Sequence, residues 1–126
     1  MQMRLTLDFT PRPSNLKAII KNTTWMNVRD VARGIGFTIP VEVSIALSDT
    51  LMPLQTEDDE DYDQRLYDAI WLAHHYLSLD LQRLSISFTF DFLRENKHTG
   101  KFIEASLRLR AETQKQVVLL GLMQDF

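Results

Sequence analysis

Four segments of the chain alternate apolar and polar residues, and two others carry helical spacing. Met3, Leu5, Leu7 and Phe9 alternate with Gln2, Arg4, Thr6 and Asp8, the two-residue period of a strand with one buried face. Pro11 and Pro13 fix φ and remove backbone donors, which ends that strand in a turn. Ile39 to Leu47 alternates in the same way, with Pro40 near its start, where a strand tolerates it. The clearest alternation places Leu84, Ile86, Phe88, Phe90 and Phe92 on one face, and Ile103 to Ala111 repeats the pattern. Val117 to Met123 is apolar enough for a strand buried on both faces or at a subunit contact.

The helical segments differ in strength. Tyr62, Leu66, Ile70, Ala73 and Leu77 recur at three or four residues, predicting the main helix over 61–77, with acidic residues at its N-terminal end, where the dipole favours them. Asn27 is suited to cap a short helix over 28–34, and Gly34 or Gly36 to end it. Leu16 to Ile20 is a short apolar run of undecided type, Leu51 to Leu54 carries Pro53 and reads as a turn or helix fragment, and Glu112 to Gln116 reads as a polar connection. The expected architecture is α+β: one domain spanning 1–126, with an antiparallel sheet of about five strands and one main helix packed on one face. Its last three strands form a meander, with Leu84, Ile86, Phe88, Phe90, Leu107 and Leu109 under the helix. A terminal strand over 117–123 would lie at a sheet edge and need covering, by the same chain or by a second subunit; a homodimer is favoured.

Composition narrows the class. A chain of 126 residues, 44% hydrophobic and 25% charged, matches one ordinary globular domain. It has no cysteine, so disulfides, thiolate metal sites and cysteine nucleophiles are excluded. The first residues lack the pattern of a signal peptide, and no segment offers the roughly 20 apolar residues of a membrane span, so the expected location is the cytoplasm, with no membrane partner. The net charge of −3 is uneven: residues 49–80 hold nine acidic groups and one basic one. No basic face of the kind that marks a nucleic-acid binder emerges from composition.

Candidate chemistry is sparse. Asp59, Asp61 and Asp63 occupy the first three ligand positions of a calcium loop, but Gln64 stands where the turning Gly belongs and Ile70 where the bidentate Glu belongs. Such a site would be weak; the acidic run 57–63 is expected to be a solvated loop, and no cofactor is expected beyond this calcium alternative. His74 and His75 project about 100° apart on the helix, so they do not form a metal-binding pair. His98 has no partner that the sequence identifies. No nucleophile sits in a glycine-flanked elbow, and four glycines leave no phosphate-cradling loop. Arg94, Lys97, His98 and Lys101 make a basic loop, and Arg108 and Arg110 share a strand face with Glu104 and Ser106; nucleic-acid contact is the less favoured reading, since Phe88, Phe90 and Phe92 fit a core. Arg65 and Asp68, spaced i, i+3, are placed either for an ion pair or for partner contact.

Val28 to Val43, with Gly36-Phe37-Thr38-Ile39-Pro40-Val41, and Arg65-Leu66-Tyr67-Asp68-Ala69-Ile70 resemble segments of a family of small uncharacterised bacterial proteins often found on plasmids and other mobile elements. The similarity covers about residues 28–77, and that family brings no established activity. The expected function is therefore a non-enzymatic interaction or accessory protein, with Arg65, Asp68, Arg94, Lys97 and Lys101 as candidate contacts. A divalent-cation-binding regulatory protein and a nucleic-acid-associated regulator are the alternatives.

Overall fold

The computed structural model describes residues 23–54, 57, 61–79, 84–96 and 98–126. The strand expected over Met1–Phe9 and the run Leu16–Ile20 lie outside them. Among the described residues the order is β1 (Trp25–Asn27), α1 (Arg29–Ile35), β2 (Val41–Ser44), α2 (Ile45–Leu51), α3 (Asp61–Leu79), β3 (Ser85–Asn96), β4 (Lys101–Gln114) and β5 (Val117–Leu122), closed by a 3-10 turn at Met123–Asp125. The fold is α+β, and its described residues form three helices and a five-stranded, mostly antiparallel sheet in the order β1-β2-β5-β4-β3.

Local chemistry explains most boundaries. The Asn27 side-chain oxygen accepts from the Arg29 N–H (2.8 Å), satisfying one orphan donor at the start of α1. Gly36 ends α1 at φ 133°, a region that side chains rarely adopt, and its N–H donates to the Ala32 carbonyl (3.1 Å). The alternation of Ile39–Leu47 is overridden after four strand residues: the Ser44 hydroxyl accepts from the Leu47 N–H (3.0 Å) and caps α2. Leu47 and Leu51, four apart, are then buried on one side of that helix, so the apparent two-residue period ran across a cap.

The C-terminal strands are longer than their alternation suggested. β3 and β4 pair through twelve consecutive positions, from Ser85 with Glu112 to Asn96 with Lys101. The supposed polar connection 112–116 is mostly strand, because Lys115 (φ 49°) and Gln116 (φ 66°) alone make a two-residue hairpin. Neither residue is the Gly or Asn that usually marks such a turn.

Val117–Leu122 corrects the expected topology. The strand is not at an edge: it pairs antiparallel with β4 and parallel with β2, so the same chain flanks it on both sides. Its centre is buried on both faces, as the continuous apolar run required. The parallel pairing makes the sheet mixed, and the edge that motivated a homodimer through 117–123 is absent.

The main core lies between the sheet and the helices. Ile86, Phe88, Phe90 and Phe92 of β3 and Leu109 and Ala111 of β4 face Leu66, Ala69, Ile70 and Ala73 of α3. Two expected core residues fall short. Leu84 precedes the strand and is 64% exposed, while Leu107 is only partly buried, towards the far end of the hairpin. Trp25, Leu119 and Phe126 form a second small cluster. Phe90 is 2% exposed, so Phe90→Ala should lower unfolding free energy by about 3–5 kcal/mol in urea titrations.

Candidate functional site

The acidic run is not wholly a solvated loop. Glu57 is 3% exposed, and its carboxylate accepts from the guanidinium of Arg65 and from that of Arg94 (2.7 Å). The Leu54 N–H donates to the same carboxylate (2.8 Å). Arg65 also donates to the carbonyls of Leu51 (3.1 Å) and Leu93 (3.0 Å), while Arg94 donates to that of Thr50 (2.7 Å). Both guanidiniums lie over the Phe92 ring, at 4.8 Å and 5.0 Å from its centroid. One carboxylate thus ties the end of α2, the start of α3 and the far half of β3 together.

Burial pushes the Glu57 carboxyl upward, but the hydrogen bonds from Arg65 and Leu54, the Arg65 charge and the Arg94 bond outweigh it, leaving the pKa below its ordinary value of 4.5. These groups are spent on one another, and the cluster acts as an internal strut.

The candidate residues are consequently scattered. Arg65 does not pair with Asp68: it turns inward to Glu57, with Asp61 3.7 Å away, while Asp68 accepts from the Gln64 amide (2.8 Å). Arg94 is drawn into the strut, whereas Lys101 is exposed at the end of the β3–β4 hairpin. Asp59 and Lys97 lie outside the described residues. Among the described residues, no group of three His, Asp or Glu side chains is placed to hold a metal ion, and Asp61 sits beside a guanidinium. Arg108 donates to the Thr89 hydroxyl (3.0 Å), and Arg110 pairs with Glu112 and lies over Phe126 (5.3 Å).

Two features escaped the sequence pattern. His74 packs edge-on against Phe37 (4.9 Å between centroids) beside an open groove of about 280 Å³, lined also by Gly36, Ile39, Leu77 and Val118. The groove is more apolar than polar; Thr38, Ser78 and Thr113 also line it, and the Ser78 hydroxyl donates to the His74 carbonyl (2.6 Å). The second is an aromatic ridge on the solvent side of α3. Tyr67 (44% exposed), Trp71 (46% exposed) and His75 follow at i, i+4 and i+8, and the Trp71 and His75 rings stack at 5.4 Å and 6°. The spacing of the ridge is legible in the sequence, but it lies off the buried stripe of Leu66, Ile70 and Ala73 that hydrophobic periodicity picks out.

Asp68 borders the ridge, and the one basic residue of α3, Arg65, is buried away from it. The outer face of α3 therefore combines exposed aromatic surface with negative charge, a combination suited to cationic side chains. Compared with protein-family models, with curated proteins and with solved structures, the chain matches none.

The strut gives a pH signature. The unfolded carboxyl binds protons more readily than the folded one, so the contribution of Glu57 is present above pH 4.5 and is lost as pH falls through the lower folded value. Glu57→Gln should cost about 3–5 kcal/mol at neutral pH by leaving two guanidiniums without their counter-charge. In urea titrations from pH 7 to pH 3, the variant should also lose less further stability than the wild type.

Proposed function

We propose that this chain is a non-enzymatic accessory protein that binds another protein through the outer face of α3. The observation that carries the reading is the exposed ridge of Tyr67, Trp71 and His75. Large aromatic rings held in place by the helix backbone lose little side-chain entropy on binding, and aromatic anchors commonly dominate interface energetics. Asp68 beside the ridge and the net negative charge of α3 favour a partner that presents Arg or Lys. A cytoplasmic setting is part of the proposal. No described helix is long and apolar enough to cross a membrane.

Trp71→Ala should leave folding stability within about 0.5 kcal/mol, as expected for an exposed side chain with no structural task. Affinity capture from the native host should recover a basic protein with the wild type and with Ser106→Ala, but not with Trp71→Ala or Asp68→Lys. Loss of several kcal/mol in Trp71→Ala, or capture unaffected by either ridge substitution, would remove the ridge as the binding surface.

A further inference from the structure

β3 is an outer strand of the sheet, twelve residues long. The Leu84 carbonyl accepts from the Thr113 N–H (2.7 Å), which fixes the phase of the ladder. Residues of the same parity, through Asn96, turn their backbone polar groups towards β4. Ser85, Ser87, Thr89, Asp91, Leu93 and Glu95 turn theirs outward. The bond from Arg65 to the Leu93 carbonyl agrees with that phase and occupies one outward acceptor. Among the described residues, no strand lies beside the others.

Long edges are normally blunted by Lys, Pro or a bulge. β3 has none of these: its twelve pairs with β4 run in unbroken register, and Asp91 is the one charged residue between Ser85 and Leu93. The Asp91 carboxylate accepts from the Ser106 hydroxyl on the neighbouring strand, so it is held over its own sheet. Tyr76 of α3, 39% exposed, packs on Phe88 (5.3 Å) and adds apolar surface next to this strand.

We propose that this edge pairs antiparallel with the same edge of a second copy of the chain, across a twofold axis at Thr89. The register is self-complementary. Thr89 meets Thr89 of the partner subunit and Ser87 meets Asp91 of the partner subunit; Ser85 comes opposite Leu93 of the partner subunit, where the Arg65 bond to the Leu93 carbonyl ends the ladder. No like charges are paired within the two strands, whereas an axis at Asp91 would set two carboxylates face to face; the Arg108 guanidinium that donates to the Thr89 hydroxyl (3.0 Å) comes from β4 and lies beside the axis on the solvent face. On the core face, Phe88 stands beside Phe90 of the partner subunit, extending one aromatic row through both sheets. The Tyr76 flanks enlarge the contact towards the roughly 800 Å² per partner that a stable interface requires.

The proposal uses a different surface from the α3 ridge, so its failure leaves the ridge reading standing. The test uses the full chain in analytical ultracentrifugation from micromolar to submillimolar concentration. The wild type should be a dimer. Thr89→Pro should be monomeric with an unchanged far-UV spectrum, because the Thr89 N–H points outward and its loss breaks no bond to β4. Thr89→Lys sets two ammonium groups against each other and should weaken dimerisation at least about tenfold; it decides the matter if the Pro variant does not fold. Because the chain has no native cysteine, Thr89→Cys should give a disulfide-linked dimer on mild oxidation, and Ser85→Cys should not. A monomeric wild type, a Thr89→Lys dimer as tight as the wild type, or preferential cross-linking of Ser85→Cys would overturn the proposal.

Discussion

The described structure depends on one buried carboxylate. Without Glu57, the guanidiniums of Arg65 and Arg94 would lie among carbonyls and the Phe92 ring without their shared buried counter-charge, and Arg65 would keep the more distant Asp61 carboxylate at 3.7 Å. A buried ion pair often gives little net stability compared with a well-packed apolar substitute, but losing one partner leaves a costly orphan charge. The role of the triad is best understood as specification. It sets how α2 hands over to α3, because Glu57 also takes the Leu54 N–H and the two arginines take the carbonyls of Thr50 and Leu51. It also fixes where β3 runs relative to α3, through the Leu93 carbonyl.

A second, smaller clasp works at the opposite end of α2. The Asp125 carboxylate accepts from the Ser44 hydroxyl (2.5 Å) and the Leu122 N–H (2.8 Å), while Ser44 caps α2. This joins the final turn to the point where strand gives way to helix. Gly121 makes room for it: a Cβ there would stand 2.8 Å from the Asp125 carboxylate. Together the two clasps bracket α2, whose seven residues would not hold a helix alone.

Periodicity made the long elements legible. Phe88, Phe90 and Phe92 alternate with polar residues, and Leu66, Ile70 and Ala73 keep helical spacing, so β3 and α3 followed directly from pattern. The short α1 was also legible, through Asn27 and Gly36 at its ends, but other short elements were hidden because side-chain chemistry decides them. Ser44 converts an alternating stretch into a cap, Lys115 and Gln116 turn a hairpin without the usual residues, and Trp25–Asn27 is too short to show a period. The central position of β5 was hidden for another reason: its parallel partner, β2, lies 77 residues earlier, Val41 pairing with Val118, beyond any local signal. At the candidate sites, Arg65 and Arg94 were recognisable as charges worth explaining. Their common partner Glu57 sat within an acidic run that looked solvated as a whole, and only the fold shows that Glu57 is buried.

The strut accounts for the two charges that a functional reading would otherwise claim, and the surfaces proposed for partners, the outer face of α3 and the edge of β3, do not use them. That division is tested most directly by a double-mutant cycle between Glu57→Gln and Arg65→Met, read by urea denaturation at neutral pH. A coupling energy of about 2–3 kcal/mol is predicted, with the double variant more stable than the sum of the single losses implies. Coupling below about 0.5 kcal/mol, the level of an exposed ion pair, would contradict the account.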